Sequence, residues 1–184
     1  MQANTIRILA LCGSLRPNSS NHALIQFISA NAPAVVACTL FEGIDCLPHF
    51  NPDLDILDAD KAVKHLRDAI SQADGVIVCT PEYAFGVPGS LKNALDWTVY
   101  SGSLHGKPAA IITASSSGEK AHTALLHIFT ALGASVASGA ALLVPYIRTK
   151  VNNQGEVTDE ATRQALLRVM DALLGEINKE QPNP

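Results

Sequence analysis

The 184-residue chain is short of charge: 16% of its residues are Asp, Glu, Lys or Arg, against about 25% in an average soluble domain. Seventeen acidic residues outnumber thirteen Lys and Arg, leaving a net charge of −4. With no basic field to draw a polyanion, nucleic acid is not an expected partner. Long apolar runs are missing too. The longest, residues 8–12, 75–79 and 139–144, fall far short of the about 20 residues that cross a bilayer, so no membrane span is expected. The opening residues Met1–Arg7 lack a basic region, a long apolar stretch and a small-residue cleavage site, and read as mature, cytoplasmic protein. Metal and redox cysteine spacings are absent as well. Cys12, Cys38, Cys46 and Cys79 stand 26, 8 and 33 positions apart, without a Cys-x-x-Cys pair, and all four read as free structural thiols. His122 and His127 are five apart on an expected helix, which separates their faces, so no metal site is expected.

What is present is material for one core. Hydrophobic residues make up 47% of the chain, and its length suits one domain of about 150 residues with modest excursions. A single domain over residues 1–178 with a frayed polar tail at 179–184 follows. Short β-branched runs at 6–12, 35–41, 75–80, 109–114 and about 135–144 alternate with segments of helical period. Several runs are apolar on both alternations, the mark of parallel strands covered on both faces. Ala62, Val63, Leu66, Ala69 and Ile70 make one helical stripe. The same period appears at 22–28, 90–97, 121–132 and 161–177, the last helix with Thr158 as its expected cap. Five parallel strands with five helices result. Open sheets of this kind bind ligands beyond the carboxyl ends of their strands, so the loops after the first, third and fourth strands carry the interest.

The first of these reads Gly13-Ser14-Leu15-Arg16-Pro17-Asn18-Ser19-Ser20-Asn21 and runs straight into a helix. Serine hydroxyls, a guanidinium and the unpaired N–H groups of a helix start converge within nine residues, as a terminal phosphate requires. The plainer reading is a polar turn with Ser19 or Ser20 as the helix cap. No lysine follows Gly13 until Lys61 and the loop has one glycine, which excludes both the P-loop and the dinucleotide fingerprint. A mononucleotide phosphate fits better.

After the third strand comes Pro81-Glu82-Tyr83-Ala84-Phe85-Gly86-Val87-Pro88-Gly89. Its two prolines hold the backbone between them, and Tyr83 and Phe85 can pack on a planar ring. In the helix that follows, Leu91, Ala94, Leu95 and Trp97 form an apolar face suited to a partner, or, for Trp97, to ordinary packing. Glu82 is the one carboxylate in this loop, and a lone surface glutamate is usually solvated. The fourth-strand loop, Ser115-Ser116-Ser117-Gly118, offers further hydroxyl and backbone donors. A serine hydrolase is not expected, because no Gly-x-Ser-x-Gly elbow is present.

The motifs Gly13-Ser14-Leu15-Arg16-x-x-Ser19-x-Asn21 and Pro81-Glu82-Tyr83…Pro88-Gly89-x-Leu91-Lys92-Asn93-Ala94-Leu95-Asp96-Trp97 resemble the NADPH-dependent FMN reductase family. Ala84 and Gly86 stand where many members carry Asn and Ser, and Ser20 where an apolar residue is frequent. The resemblance implies a flavodoxin-like three-layer sandwich with strand order 2-1-3-4-5. It further implies that Ser14, Arg16, Ser19, Ser20 and Asn21 hold the FMN phosphate. Pro81, Glu82 and Tyr83, helped by Ser115 and Ser116, would hold the isoalloxazine ring. FMN would take hydride from NADPH or NADH and pass electrons to a quinone, free flavin, azo compound or metal oxyanion, with no acid–base residue and ping-pong turnover. A homodimer or homotetramer is implied, with residues 91–97 suited to the contact. A flavodoxin-type electron carrier, or a flavodoxin-like binding module without catalysis, are the other readings.

Overall fold

The structure, a computed structural model, describes residues 5–54 and 60–180. Residues 1–4 and 181–184, which hold most of the expected mature N-terminus and of the frayed tail, lie outside the described residues.

Five strands, β1 (Ile6–Cys12), β2 (Val36–Leu40), β3 (Gly75–Thr80), β4 (Pro108–Ala114) and β5 (Ser135–Val144), form one sheet. All of its pairings are parallel, in the order β2-β1-β3-β4-β5. Among the described residues five α-helices of eight residues or more cover it: α1 (Ser20–Ala30), α2 (Lys61–Gln72), α3 (Gly89–Asp96), α4 (Glu119–Ala131) and α5 (Glu160–Glu180). Every residue of β3 and β4 is buried, because both faces of the central strands are covered. One face packs Leu9, Val76 and Ile111 against α2, α3 and α4. The other packs Ala10, Ile77 and Ile112 against α1 and α5.

The helical stripes account for the layers. In α2, Val63, Leu66 and Ile70 are fully buried, and Asp60 caps the helix by accepting the Ala62 N–H at 2.8 Å. Three expectations are corrected. Residues 179 and 180 belong to α5, whose last turn carries Lys179 and the buried Ile177. The α5 cap is Asp159 in place of Thr158: its carboxylate accepts the Thr162 N–H at 2.8 Å and the Thr162 hydroxyl at 2.6 Å. The face of α3 is no partner surface, since Leu91, Ala94, Leu95 and Trp97 are each at most 1% exposed inside this chain's own core. Trp97 is packing, its indole N–H donating to the Pro48 carbonyl at 2.8 Å.

β5 departs from a regular strand. Its register with β4 shifts between Ala109 and Ile111, which bends this edge of the sheet. No described helix is long and apolar enough to cross a membrane.

Candidate functional site

The carboxyl ends of β1, β3, β4 and β5 gather four loops at one edge of the sheet. The first begins at Gly13, whose N–H donates to the Cys79 carbonyl at 2.9 Å, so the sheet pairing continues into the loop. A side chain here would run into Thr80, with an added Cβ 2.7 Å from the Thr80 Cβ. Glycine is therefore needed for β1 to leave the sheet beside β3.

Ser14 is buried at 3% exposure, and its hydroxyl accepts the Arg16 N–H at 3.4 Å. Ser19 is the α1 cap, its hydroxyl accepting the His22 N–H at 3.2 Å. The first N–H groups of a helix have no intrahelical acceptor. Ser19 serves that of His22, which leaves those of Ser20 and Asn21 for a ligand. Arg16 is exposed at the rim. The Asn21 side chain turns inward: its amide donates to the Ala114 carbonyl at 3.3 Å and its oxygen accepts the Cys79 thiol at 3.3 Å. It fastens the start of α1 to the ends of β3 and β4.

Two of the thiols lie beneath this loop. Burial pushes Cys12 up and Cys79 well up, so both stay protonated and unreactive. All four cysteines are free, with Cys38 half-buried and Cys46 exposed.

Between Pro81 and Pro88 the chain makes a tight hairpin. The Tyr83 N–H donates to the Gly86 carbonyl at 3.1 Å and the Gly86 N–H to the Tyr83 carbonyl at 3.0 Å. Both residues at its tip, Ala84 and Phe85, are left-handed, with φ of 49° and 60°. For a phenylalanine this is strained backbone, and such strain concentrates at functional loops. Phe85 is 80% exposed and Tyr83 50%, so both rings present apolar surface at this edge of the sheet. Glu82 is not solvated as a lone glutamate would be. Its carboxylate accepts the Ala121 N–H at 2.8 Å, in the first turn of α4, whose own cap position is Gly118 with no side chain to offer.

Ser115 and Ser116 sit on the next loop, half-buried and exposed. Their carbonyls accept the N–H groups of Ile147 and Tyr146, both at 3.1 Å, which ties this loop to the one after β5. Gly118 has φ +93°, and a Cβ there would lie 2.9 Å from Leu143. His122, one turn into α4, places Nδ1 3.0 Å from the Thr113 hydroxyl. Burial holds its pKa below the ordinary histidine value. Among the described residues no cluster of His, Cys, Asp or Glu could hold a metal ion.

Pro81, Glu82, Tyr83, Ser115 and Ser116 thus lie on neighbouring loops at the same edge as Ser14, Arg16, Ser19 and Ser20. Sequence reasoning missed Tyr146, 70% exposed with φ of 54°, and Arg148, which shares a cleft with Arg16. The rule that ligands lie beyond strand ends applies equally to β5 and was the signal available for both.

A model of the NADPH-dependent FMN reductase family matches residues 6–149, from β1 to the turn after β5. The chain belongs to that family. It is 35% identical over 164 residues to a quinone reductase of Escherichia coli (strain K12), covering 85% of this chain and 87% of that protein. It is 29% identical over 176 residues to an NAD(P)H-dependent FMN reductase of Pseudomonas aeruginosa, covering 93% and 95% of the two chains. Among solved structures it superposes on FerB, a flavoenzyme NAD(P)H:(acceptor) oxidoreductase from Paracoccus denitrificans, with TM-score 0.83 and 32% identity. That match spans 95% of this chain and 98% of FerB. The matched span includes the loops after β1, β3 and β4 and the start of the one after β5, and membership in this family makes the protein an FMN-dependent oxidoreductase.

Proposed function

We propose that the protein oxidises NADPH or NADH through FMN held at the carboxyl edge of its sheet and reduces a small acceptor, a quinone first among them. The observation that carries this reading is the set of donors around the start of α1: a buried serine hydroxyl, two helix N–H groups and an exposed arginine. Such a set fits a dianionic phosphate. In this reading Ser14 and the N–H groups of Ser20 and Asn21 grip the phosphate, and Arg16 balances its charge. Ser19 holds the helix start in shape, and the inward Asn21 side chain fixes that start to the sheet.

Bound FMN supplies the redox chemistry, accepting hydride from the nicotinamide and releasing electrons to the acceptor. The chain's task is to orient and shield. Pro81, Glu82 and Tyr83 form one wall, which Glu82 fastens to α4, and Ser115 and Ser116 form another, which the turn at Tyr146 and Ile147 braces. No side chain need exchange a proton. The four free thiols suit a reducing compartment, and a cytoplasmic place of action is part of the proposal. So is a homodimer or homotetramer.

The test is anaerobic mixing of the purified protein with NADPH or NADH, then with a quinone. Bound FMN bleached by the nicotinamide and restored by the quinone is the expected result. A bound yellow cofactor that the nicotinamide leaves oxidised would make the protein an electron carrier, and absence of flavin would make it a binding module.

A further inference from the structure

Beside the start of α1 a cleft of about 540 Å³ opens between Arg16, Ser19 and Ser20 on one wall and the connection after β5, including Arg148 and Asn152, on the other. Its walls carry two arginines and no aspartate or glutamate, in a chain of net charge −4. Neither guanidinium has an ion-pair partner among the described residues. An anion entering this cleft meets positive charge on both walls and no lining carboxylate to repel it.

Arg148 is exposed, and the backbone that carries it is braced on both sides. Just before it, the N–H groups of Tyr146 and Ile147 are bonded to the loop after β4, and Ile147 is buried at 5% exposure. Just beyond, Val151 pairs with Val157, and the Asn152 side chain accepts the N–H groups of Gln154 and Glu156 at 3.0 and 2.9 Å. The guanidinium is therefore carried by a braced turn anchored on the same loop that is proposed to face the flavin ring. The cleft's volume falls in the range of about 300–1,000 Å³ typical of small-ligand sites.

We propose that this cleft is a subsite for the phosphate monoester of a nucleotide, with Arg148 as its second cation and a specificity-determining residue. The proposal rests on the flavoenzyme reading above. Two nucleotides of that reaction carry such a group: FMN has its 5′-phosphate, and NADPH has the 2′-phosphate that NADH lacks. Arg16 belongs to the phosphate-loop motif, whereas Arg148 lies 132 positions away on a loop outside it.

The variants are Arg148→Ala, Arg148→Lys and, as a charge control on the exposed side of α5, Arg168→Ala. Two quantities are measured: FMN retained after dialysis, and binding of 2′-AMP relative to adenosine by titration calorimetry of the flavin-loaded protein. Arg148→Ala should weaken one of them about tenfold or more, as expected for loss of a charge-assisted hydrogen bond. Arg148→Lys should keep part of the effect, having the charge without the planar fork, and Arg168→Ala should change neither. Weakened FMN retention assigns the subsite to the flavin. Intact flavin with weakened 2′-AMP binding assigns it to the reductant, with KM raised for NADPH and unchanged for NADH. Both quantities within about twofold of wild type in Arg148→Ala, at equal melting temperature, would overturn the proposal. Should the wild type take up no FMN, the flavoenzyme reading fails first. The 2′-AMP titration of that protein then still decides the cleft: binding lost in Arg148→Ala upholds it, and absence of binding overturns it.

Discussion

Arg16 sits at the rim of the phosphate loop, and its structural contribution is through its backbone N–H, which Ser14 accepts at 3.4 Å. Arg16→Ala should therefore leave stability within about 0.5 kcal/mol. Loss of a hydrogen bond to a charged group costs about 1.5–3 kcal/mol, roughly 10- to 150-fold in Kd for FMN. Dialysis followed by flavin absorbance measures the loss, and retention equal to wild type would remove Arg16 from this role. His122 makes a different prediction. Burial beside Thr113 lowers its pKa, so the fold holds it neutral while the unfolded chain takes a proton near pH 6.5. Its contribution is complete above about pH 6.5 and is lost as pH falls from there toward the lowered value. Urea unfolding between about pH 7.5 and 5.5 should show this decline in wild type and less of it in His122→Asn. Identical slopes would show that the imidazole is not held neutral. Asp159 does not confuse the window. Its carboxylate is held low by the hydroxyl and N–H of Thr162 and by Lys150, and it gives up stability only below the ordinary carboxylate range.

At the scale of elements, α4 is the helix whose start depends on a distant residue. Gly118 gives the turn its left-handed backbone but no capping oxygen, and Glu82, 39 positions before the Ala121 whose N–H it accepts, supplies one. Glu82→Ala should cost about 1 kcal/mol, the usual loss for a helix cap. It should also free the 81–86 hairpin from the 115–118 loop and so weaken flavin binding, while Glu82→Gln, which keeps an acceptor, should retain most of both. Thermal unfolding with FMN titration checks this. Unchanged melting in Glu82→Ala would mean that solvent serves the α4 start equally well. This cap was illegible in the sequence because capping patterns are local, within about four residues, and this one spans two loops. The hairpin tip was illegible for a related reason. Turns with two left-handed residues announce themselves by Asn-Gly or Asp-Gly, and Ala84-Phe85 carries neither. The stripe of α2 and the doubly apolar runs of β3 and β4 were plain, because they record contact with a whole layer and not with one atom.

At the scale of the molecule, the alternation of strands and helices announced a covered parallel sheet, while the strand order came from family likeness, since periodicity does not say which strands are neighbours. The phosphate loop was readable because its donors are consecutive. Arg148 was not, because only the sheet brings β1 and β5 to the same edge. Partner surfaces are the hardest to read this way, for an apolar helix face looks alike whether it meets a sheet or a subunit. Burying one large side chain is worth about 1.5–3 kcal/mol, and in α3 Leu91, Leu95 and Trp97 have already spent theirs inside the chain. An oligomer must therefore use other residues. Val99 and Tyr100, just past α3, are 53% and 61% exposed, and the Tyr100 ring, 6.4 Å from that of Phe50, is an outward aromatic of the kind that anchors contacts. Light scattering should find two or four chains per particle in the wild type, and Tyr100→Glu should lower that mass by placing a charge in the contact, with the melting profile of the subunit retained. A wild type that runs as a single chain at micromolar concentration would end the oligomer proposal, and an unchanged mass in Tyr100→Glu would move the interface elsewhere.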